Sequence, residues 1–176
     1  QSCFYFMAAY CLCVLSISFF LPETAKERDP KALDMKKIKE GLLGAFRNST
    51  VITCGLLMGC GASVIYLFAA HGPFIGISQL GVSPEAYGLL NFIPPVGMVA
   101  GSFLSRYLAG RWQPFKVIAF GIAIIVVFSS AMLFLSLLDI FNIWCLFLPM
   151  PLIYLGFSLV YSNASSIALS KASDKA

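Results

Sequence analysis

Long apolar runs without any charged residue constrain this chain more than any other feature of its sequence. Residues 87–105 form nineteen consecutive uncharged positions, which is close to the length that a helix needs to cross a bilayer. Pro94 and Pro95 lie inside this run, where neighbouring helices can satisfy the backbone groups that proline frees. Gly97 and Gly101 follow at GxxxG spacing, which favours close approach of two membrane helices. The run therefore predicts a membrane-crossing helix with a bend at the proline pair.

The composition agrees with a membrane protein and disfavours a soluble domain. Of 176 residues, 59% are hydrophobic and 11% are charged, whereas about a quarter of a soluble domain is charged. The net charge of +4 comes from short islands between apolar runs rather than from one basic face, so we expect no nucleic-acid partner. The first apolar run has no basic residue before it and is not a signal peptide. We interpret the chain as a fragment that starts inside a membrane helix.

All six cysteines lie within apolar runs and have no cluster of histidine or acidic residues beside them. Disulfides belong to oxidising aqueous compartments, and metal sites need several such ligands together. We therefore expect free thiols that pack as small hydrophobic side chains, with no metal and no cofactor. The positions are Cys3, Cys11, Cys13, Cys54, Cys60 and Cys145.

Helix breakers and charges divide the chain into five expected crossings in an all-α, polytopic helical bundle. The first is residues 1–22, and the others lie at about residues 50–71, 87–108, 117–138 and 143–168. Glycines and prolines after residue 71 indicate a loop before the third crossing.

Residues 23–49 are polar, and Asp29 followed by Pro30 favours a helix start there. Apolar residues recur after it at helical spacing, with lysines on the other side. This pattern predicts an amphipathic helix that lies on the membrane surface, or equally a solvated linker helix without lipid contact. The apolar positions are Leu33, Met35, Ile38, Leu42, Leu43 and Phe46.

The distribution of basic residues predicts the orientation. All twelve Lys and Arg residues lie in segments 23–47, 106–116 and 171–176, which hold 7, 3 and 2 of them, while segments 72–86 and 139–142 hold none. Under the positive-inside rule, the three basic segments are cytoplasmic.

The order of these features resembles the middle of a major facilitator superfamily transporter: a helix that ends in Leu-Pro-Glu-Thr, a long basic loop, and helices joined by short loops. Residues 101–114 are similar to the loop after helix 8 in the Bcr/CflA-like multidrug efflux branch. Residues 69–75 and 81–88 resemble the connection between helices 7 and 8 of that branch. The resemblance covers essentially the whole chain and implies helices 6 to 10 of a twelve-helix fold.

In that fold, residues 1–22 are the last helix of the N-terminal half, residues 23–49 are a cytoplasmic linker, and residues 50–176 belong to the C-terminal half. The resemblance also implies a monomer in a cell membrane, as in the bacterial inner membrane, with the lipid bilayer as its surroundings and no cofactor.

The expected crossings contain no Asp, Glu, Lys or Arg, so His71 is the group that can titrate near physiological pH. It is either a proton or substrate site or an interfacial histidine bonded to a loop. Other cavity candidates are polar or aromatic residues near helix breakers, with interfacial anchoring or packing as the alternative role. The cavity candidates are Tyr66, His71, Asn91, Tyr154 and Ser158, with Asn163 as a further polar residue of this kind; for Tyr161, near a membrane edge, we favour the alternative role. The expected helix bends are at Pro94, Pro95, Pro149 and Pro151.

Arg106 and Arg111 lie in the cytoplasmic loop that resembles the family signature. They can gate that face by pairing with acidic residues or helix C-termini. The alternative role is to set topology and to contact lipid phosphate. Because Ser105 stands where the family signature has an acidic residue, we favour the alternative.

The resemblance implies secondary active export of drug-like small molecules by alternating access, with proton antiport as the expected coupling. Proton-coupling residues of such antiporters usually lie in the N-terminal half, outside this chain. No nucleophile–base set or phosphate-binding glycine loop is visible, so we expect no enzyme activity. The alternatives are a major facilitator importer of a small metabolite, or a polytopic protein that does not transport. The latter includes a scaffold, and a membrane enzyme with a metal at His71 and Glu85.

Overall fold

The computed structural model describes residues 2–20 and 35–173. Their contacts divide the chain into two units, Gln1–Ile38 and Lys39–Ala176. Within the described residues the regular structure is helical, apart from one isolated bridge between Ala109 and Trp112. The all-α membrane fold predicted from the sequence is confirmed.

Helix α1 occupies Ser2–Ser18 in the first unit. At 1.5 Å per residue this helix is about 25 Å long, which is at the lower end of the range for a crossing. The expected helix start at Asp29 and Pro30 lies outside the described residues. Helix α2 occupies Met35–Phe46, and its apolar side chains Leu42, Leu43 and Phe46 are exposed.

The second unit contains four helical spans that are long and apolar enough to cross a membrane. The first combines α3 with a π-helical continuation, the second combines α4 and α5, the third is α6, and the fourth combines α7 and α8. The helices are α3 (Ser49–Pro73, continued by π-helical Phe74–Gln79), α4 (Pro84–Leu90), α5 (Ile93–Leu108), α6 (Pro114–Leu137), α7 (Ile143–Phe147) and α8 (Met150–Ser173).

The first of these spans continues past the point where the sequence predicts a loop. Pro73 has helical backbone angles, and beyond it the Leu80 N–H donates to the Ile75 carbonyl at 3.0 Å, a π-type bond. The glycines that suggest a turn instead make room for an aromatic ring: a Cβ on Gly76 would lie 2.6 Å from the ring of Tyr87. Tertiary packing overrides the local breaker signal here, and the expected loop is wrong for residues 72–79.

Helix α8 lies at the centre of this unit and packs against α3, α5 and α6. In the most apolar part of the α7–α8 span, 50% of residues are buried, against 17–22% in the other three spans. Ile153, Leu159 and Val160 are almost completely buried. Each neighbour of α8 therefore covers a different face of it.

Two of the four spans are interrupted, and prolines mark both interruptions. Between α4 and α5 the break falls at Asn91 and Phe92, so that Pro94 and Pro95 lie in the first turn of α5. Between α7 and α8 it falls at Leu148 and Pro149, and Pro151 is the second residue of α8. A first turn has no intrahelical partner for its N–H groups, so proline fits there without loss of a hydrogen bond. These prolines begin new helical segments.

Small residues decide how closely the helices approach α8. A Cβ on Gly97 would collide with the Pro151 carbonyl, and one on Gly101 would lie 2.7 Å from the Leu155 carbonyl oxygen. The α3 glycines differ from one another: nothing lies within 4 Å of a Cβ built on Gly55 or Gly59, whereas one built on Gly61 would lie 2.8 Å from the Phe157 ring of α8. In the described part of the chain, the GxxxG pair Gly97 and Gly101 on α5 lies in a helix–helix contact, and the pair Gly55 and Gly59 on α3 does not.

Candidate functional site

A cleft of about 410 Å³ lies between α3, α6 and the α7–α8 span. Its walls are mainly apolar and include Phe68, Met132 and Met150. Ser129 and Ser136 of α6 add hydroxyls, and His71 of α3 adds an imidazole. We call this feature the α3–α6 cleft.

Regular helical spacing builds both long walls of the cleft. Residues three, four and seven positions apart share one face of a helix, so a short periodic set lines a continuous surface. Along α3 and its π-helical continuation that set runs from Val64 to Ile75, and on α6 it runs from Ser129 to Ser136. The wall residues are Val64, Leu67, Phe68, His71 and Gly72 on α3, Ile75 on its π-helical continuation, and Ser129, Met132, Leu133 and Ser136 on α6.

An aromatic cluster fixes the position of Phe68, which the cleft shares with the core. The ring of buried Phe147 meets Phe68 edge-on with centroids 5.8 Å apart, and meets Tyr87 at 5.3 Å. Such edge contacts stabilise beyond simple burial. Phe147 is the last residue of α7, immediately before the interruption. Its ring contacts therefore fix the end of α7 beside the cleft.

Of the five candidate cavity residues, His71 lines the cleft. Tyr66 is 73% exposed and is not among the lining residues. Asn91 is exposed at the end of α4, where its N–H donates to the Tyr87 carbonyl. Tyr154 is half-buried and packs against the cluster around Phe147. Of these four candidates, the structure places His71 at the cleft and Tyr66, Asn91 and Tyr154 elsewhere. The fifth candidate, Ser158, lies between two helices.

Ser158, the fifth candidate, belongs to the contact between α5 and α8. It is 3% exposed, and its hydroxyl oxygen lies 3.0 Å from that of Ser102. The Ser102 hydroxyl donates to the Met98 carbonyl, so Ser158 is left to donate to Ser102. A hydroxyl with this role stabilises helix packing.

A second polar pair lies further along the same two helices. The Asn163 side-chain amide donates to the Ser105 hydroxyl at 3.0 Å and to the Leu159 carbonyl at 2.9 Å. Ser105 stands where the family signature has an acidic residue, and here it has a neutral partner on α8. We call this surface the α5–α8 seam, formed by Gly97, Gly101, Ser102 and Ser105 with Pro151, Leu155, Ser158 and Asn163.

Sequence reasoning missed Ser129 and Ser136, which both line the cleft. Serine in an apolar helix is a weak signal, because its hydroxyl can bond to a carbonyl of its own helix. The spacing of seven, with Met132 and Leu133 between the two serines, is the pattern that would have placed them on one face.

Arg106 and Arg111, in and beside the loop between α5 and α6, have no carboxylate partner among the described residues. The Arg111 guanidinium lies 4.1 Å from the centre of the Tyr107 ring, and Arg106 is exposed. The favoured role of both arginines, in topology and in contact with lipid phosphate, stays a prediction, and so does the gating alternative. Within residues 2–20 and 35–173, no three His, Cys, Asp or Glu side chains come together as a metal site.

Comparison with known protein families shows where the chain belongs. The family model described as Major Facilitator Superfamily matches residues 1–176. No curated protein and no solved structure matches the chain. The match extends over both units and all four candidate spans. The chain therefore belongs to the major facilitator superfamily of membrane transporters.

Proposed function

We propose that the chain forms part of a secondary transporter that exports drug-like organic molecules in exchange for protons. The observation that carries this proposal is the α3–α6 cleft, an open apolar recess with a few polar side chains between membrane spans. Small-molecule sites commonly have volumes of about 300–1,000 Å³ and this kind of lining. A cleft of about 410 Å³ is of a suitable size.

The lining chemistry favours neutral or amphipathic organic substrates. Between their terminal turns, the four spans contain no Asp, Glu, Lys or Arg. An inorganic ion would lose its hydration there without gaining a counter-charge, which is costly in an apolar environment. His71, Ser129 and Ser136 can each form a hydrogen bond with an organic molecule whose body packs on Phe68 and the methionines.

Helices α5 and α8, which the seam joins, can move together as one rigid body. Alternating access in transporters is largely a rigid rocking of helical bundles around a site. Close backbone contact at Gly97 and two polar pairs hold α5 to α8. We expect substrate binding to alter the side-chain contacts of α8 that border the cleft. The contacts of the seam should stay as they are.

Proton coupling in this proposal depends mainly on residues outside the chain. The described spans have no internal carboxylate, and His71 is the one titratable side chain on the cleft wall. A histidine is suited to proton exchange near neutral pH. We therefore assign His71 to substrate contact first, with the main coupling groups in the N-terminal half that the resemblance implies.

Dye accumulation in cells that carry the full-length gene tests the proposal. Cells with the intact protein are expected to hold less Nile red, a neutral amphipathic dye, than cells with an empty vector. A proton-dissipating agent should abolish that difference. Equal accumulation with and without the protein would contradict export, and higher accumulation with the protein would favour import. A difference that persists after the proton gradient is dissipated would contradict proton coupling.

A further inference from the structure

We propose that the loop between α5 and α6 binds the head groups of anionic phospholipids. The loop and its flanking turns form what we call the basic–aromatic patch, with Arg106, Tyr107, Arg111, Trp112 and Lys116. The patch joins the ends of two candidate spans, Pro84–Leu108 and Pro114–Leu137. Its position in the chain therefore puts it at a boundary between membrane and water, independently of any transported substrate.

The charge of the patch is one-sided. Three cations fall within residues 106–116, and no Asp or Glu occurs between Glu85 and Asp139. Arg106 and Lys116 are exposed, and neither has a carboxylate partner among the described residues. A cluster of cations without counter-charges at a membrane surface attracts anionic lipids.

The linker, residues 23–47, is predicted on the same side of the membrane but has a more balanced charge than the patch. Residues 23–47 contain 7 basic residues but also 5 acidic ones, so much of their charge is compensated along the chain. The basic–aromatic patch has the higher density of uncompensated positive charge. Charge complementarity therefore favours the patch over the linker as the site for anionic lipid.

The backbone of the patch is held in a defined turn. Gly110 has a φ of +81°, and the N–H groups of Arg111 and Trp112 both donate to the Leu108 carbonyl at 3.0 Å. Leu108 and Val117 are buried and fix the two ends. Because glycine adopts positive φ readily, the chain can turn here in few residues.

The Arg111 side chain is oriented before any ligand arrives. Its guanidinium stacks over the Tyr107 ring at 4.1 Å. Stacking on an aromatic face restricts the guanidinium plane and leaves N–H groups at its edge free to bind phosphate oxygens in a bidentate manner. The ordering cost that an extended arginine meets on binding is thus reduced.

The aromatic residues favour lipid over a soluble anion or an acidic protein. Tyr107 is 60% exposed, Trp112 is 48% exposed, and Phe115 is 64% exposed. The Trp112 ring meets Phe120 edge-on at 6.1 Å, which directs the indole along the wall of α6. Tryptophan and tyrosine concentrate at the head-group level of bilayers. Cations beside exposed aromatic rings match a phospholipid, which offers a phosphate and an adjoining apolar chain.

Tryptophan quenching by brominated lipids tests the proposal on the full-length protein. In a variant with phenylalanine in place of every tryptophan except Trp112, the protein is reconstituted in phosphatidylcholine vesicles. Brominated phosphatidylglycerol or brominated phosphatidylcholine is then added at equal mole fraction. We expect phosphatidylglycerol to quench Trp112 more strongly. The relative association constant should fall about fivefold for each cation removed in Arg111→Gln/Lys116→Gln.

The matched control is Lys39→Gln/Arg47→Gln, which removes two cations from the linker. We expect it to keep the preference for phosphatidylglycerol. Arg111→Lys keeps the charge but loses the stacked bidentate fork, so we expect it to keep part of the preference. Equal quenching by the two lipids in the unsubstituted patch would overturn the proposal. So would an equal loss of preference in the linker control, which would indicate general surface charge. Full displacement by millimolar inorganic phosphate, or by an acidic peptide, would also overturn it.

Raising the salt concentration provides a test that needs no substitution in the patch. If Arg111→Gln/Lys116→Gln fails to fold, the preference of the otherwise unchanged protein is measured between about 0.05 and 0.5 M NaCl. Screening shortens the range of charge interactions over this interval. A binding patch of this kind predicts a preference that falls with salt, and a preference that is constant with salt would contradict it.

Discussion

The α5–α8 seam and the α3–α6 cleft both border α8, yet they are built in opposite ways. On the seam, glycines bring backbones into contact, and every hydroxyl or amide described above has a partner. In the cleft, bulky apolar side chains line an open volume of about 410 Å³, and three polar side chains face into it. One face of α8 is therefore packed tightly, and another has space for a ligand.

The difference follows from what membrane helices can use to associate. Lipid tails are as apolar as leucine, so tight association depends on close packing and hydrogen bonds rather than on the hydrophobic effect. The seam has both. The cleft has larger side chains whose contacts can rearrange at lower cost. We therefore expect substitutions in the seam to lower stability, and substitutions in the cleft to lower transport.

The largest expected effect on stability is in the seam at Gly97. A Cβ there collides with the Pro151 carbonyl, which is backbone and cannot rotate away. We expect Gly97→Ala to lower the free energy of unfolding by about 3 kcal/mol, the upper part of the range for overpacking. Thermal unfolding in detergent measures the change. Gly55→Ala is the matched control, since nothing lies within 4 Å of the position that the new Cβ would take. Equal melting temperatures for the two variants would contradict the close contact.

In the cleft, filling the space is expected to act on transport. Ser129→Phe puts a ring into the volume that we assign to substrate, so Nile red export should fall about tenfold, equivalent to about 1.4 kcal/mol in binding. Melting temperature should change little. Ser130→Phe is the control, because Ser130 is exposed and does not line the cleft. If both variants export equally well, the cleft is not the substrate site.

A smaller effect is expected at the second polar pair of the seam. Asn163→Ala removes the hydrogen bond to Ser105, and interhelical hydrogen bonds in membranes contribute about 0.6 kcal/mol on average. We expect a loss of stability of this order in a reversible unfolding experiment in mixed micelles. Ser166→Ala, at an exposed position of the same helix, should have no effect. A loss above about 3 kcal/mol would show that the pair does more than join two helices.

The smallest effect is expected at Tyr66, a candidate from the sequence that is 73% exposed and outside the cleft. Tyr66→Phe should leave Nile red export unchanged. Its partner test is His71→Gln, at a cleft residue of the same helix, which should reduce export several-fold. If Tyr66→Phe reduces export as much as His71→Gln does, the face of α3 that lines the cleft is no more important for export than the exposed face.

Much of the fold could be predicted from the sequence, because charge-free runs, prolines and basic loops are signals within one segment. The contact at Gly97 and Gly101 agrees with their spacing. Gly55 and Gly59 have the same spacing without a contact, since a small-residue face is a contact only where another helix meets it. The loop expected after residue 71 is helical through Gln79 because Tyr87, in the next helix of the chain, packs on the glycines there.

The candidate site was predicted less well, for a related reason. His71 is conspicuous as a titratable group in an apolar run, and it lines the cleft. Ser158 looks equally available in the sequence, but its partner Ser102 lies 56 positions away on another helix. Ser129 has no neighbouring signal of its own. Whether a serine binds a ligand or joins two helices depends on pairings that one segment does not contain.

Substrate protection of Ser129→Cys tests the central claim most directly. In a full-length protein without other cysteines, the rate of maleimide labelling is measured with and without Nile red, beside Ser130→Cys as control. If the cleft binds substrate, the dye slows labelling at position 129 several-fold and leaves position 130 unchanged. Equal labelling rates at position 129 with and without dye, under conditions where the protein exports it, would contradict the account.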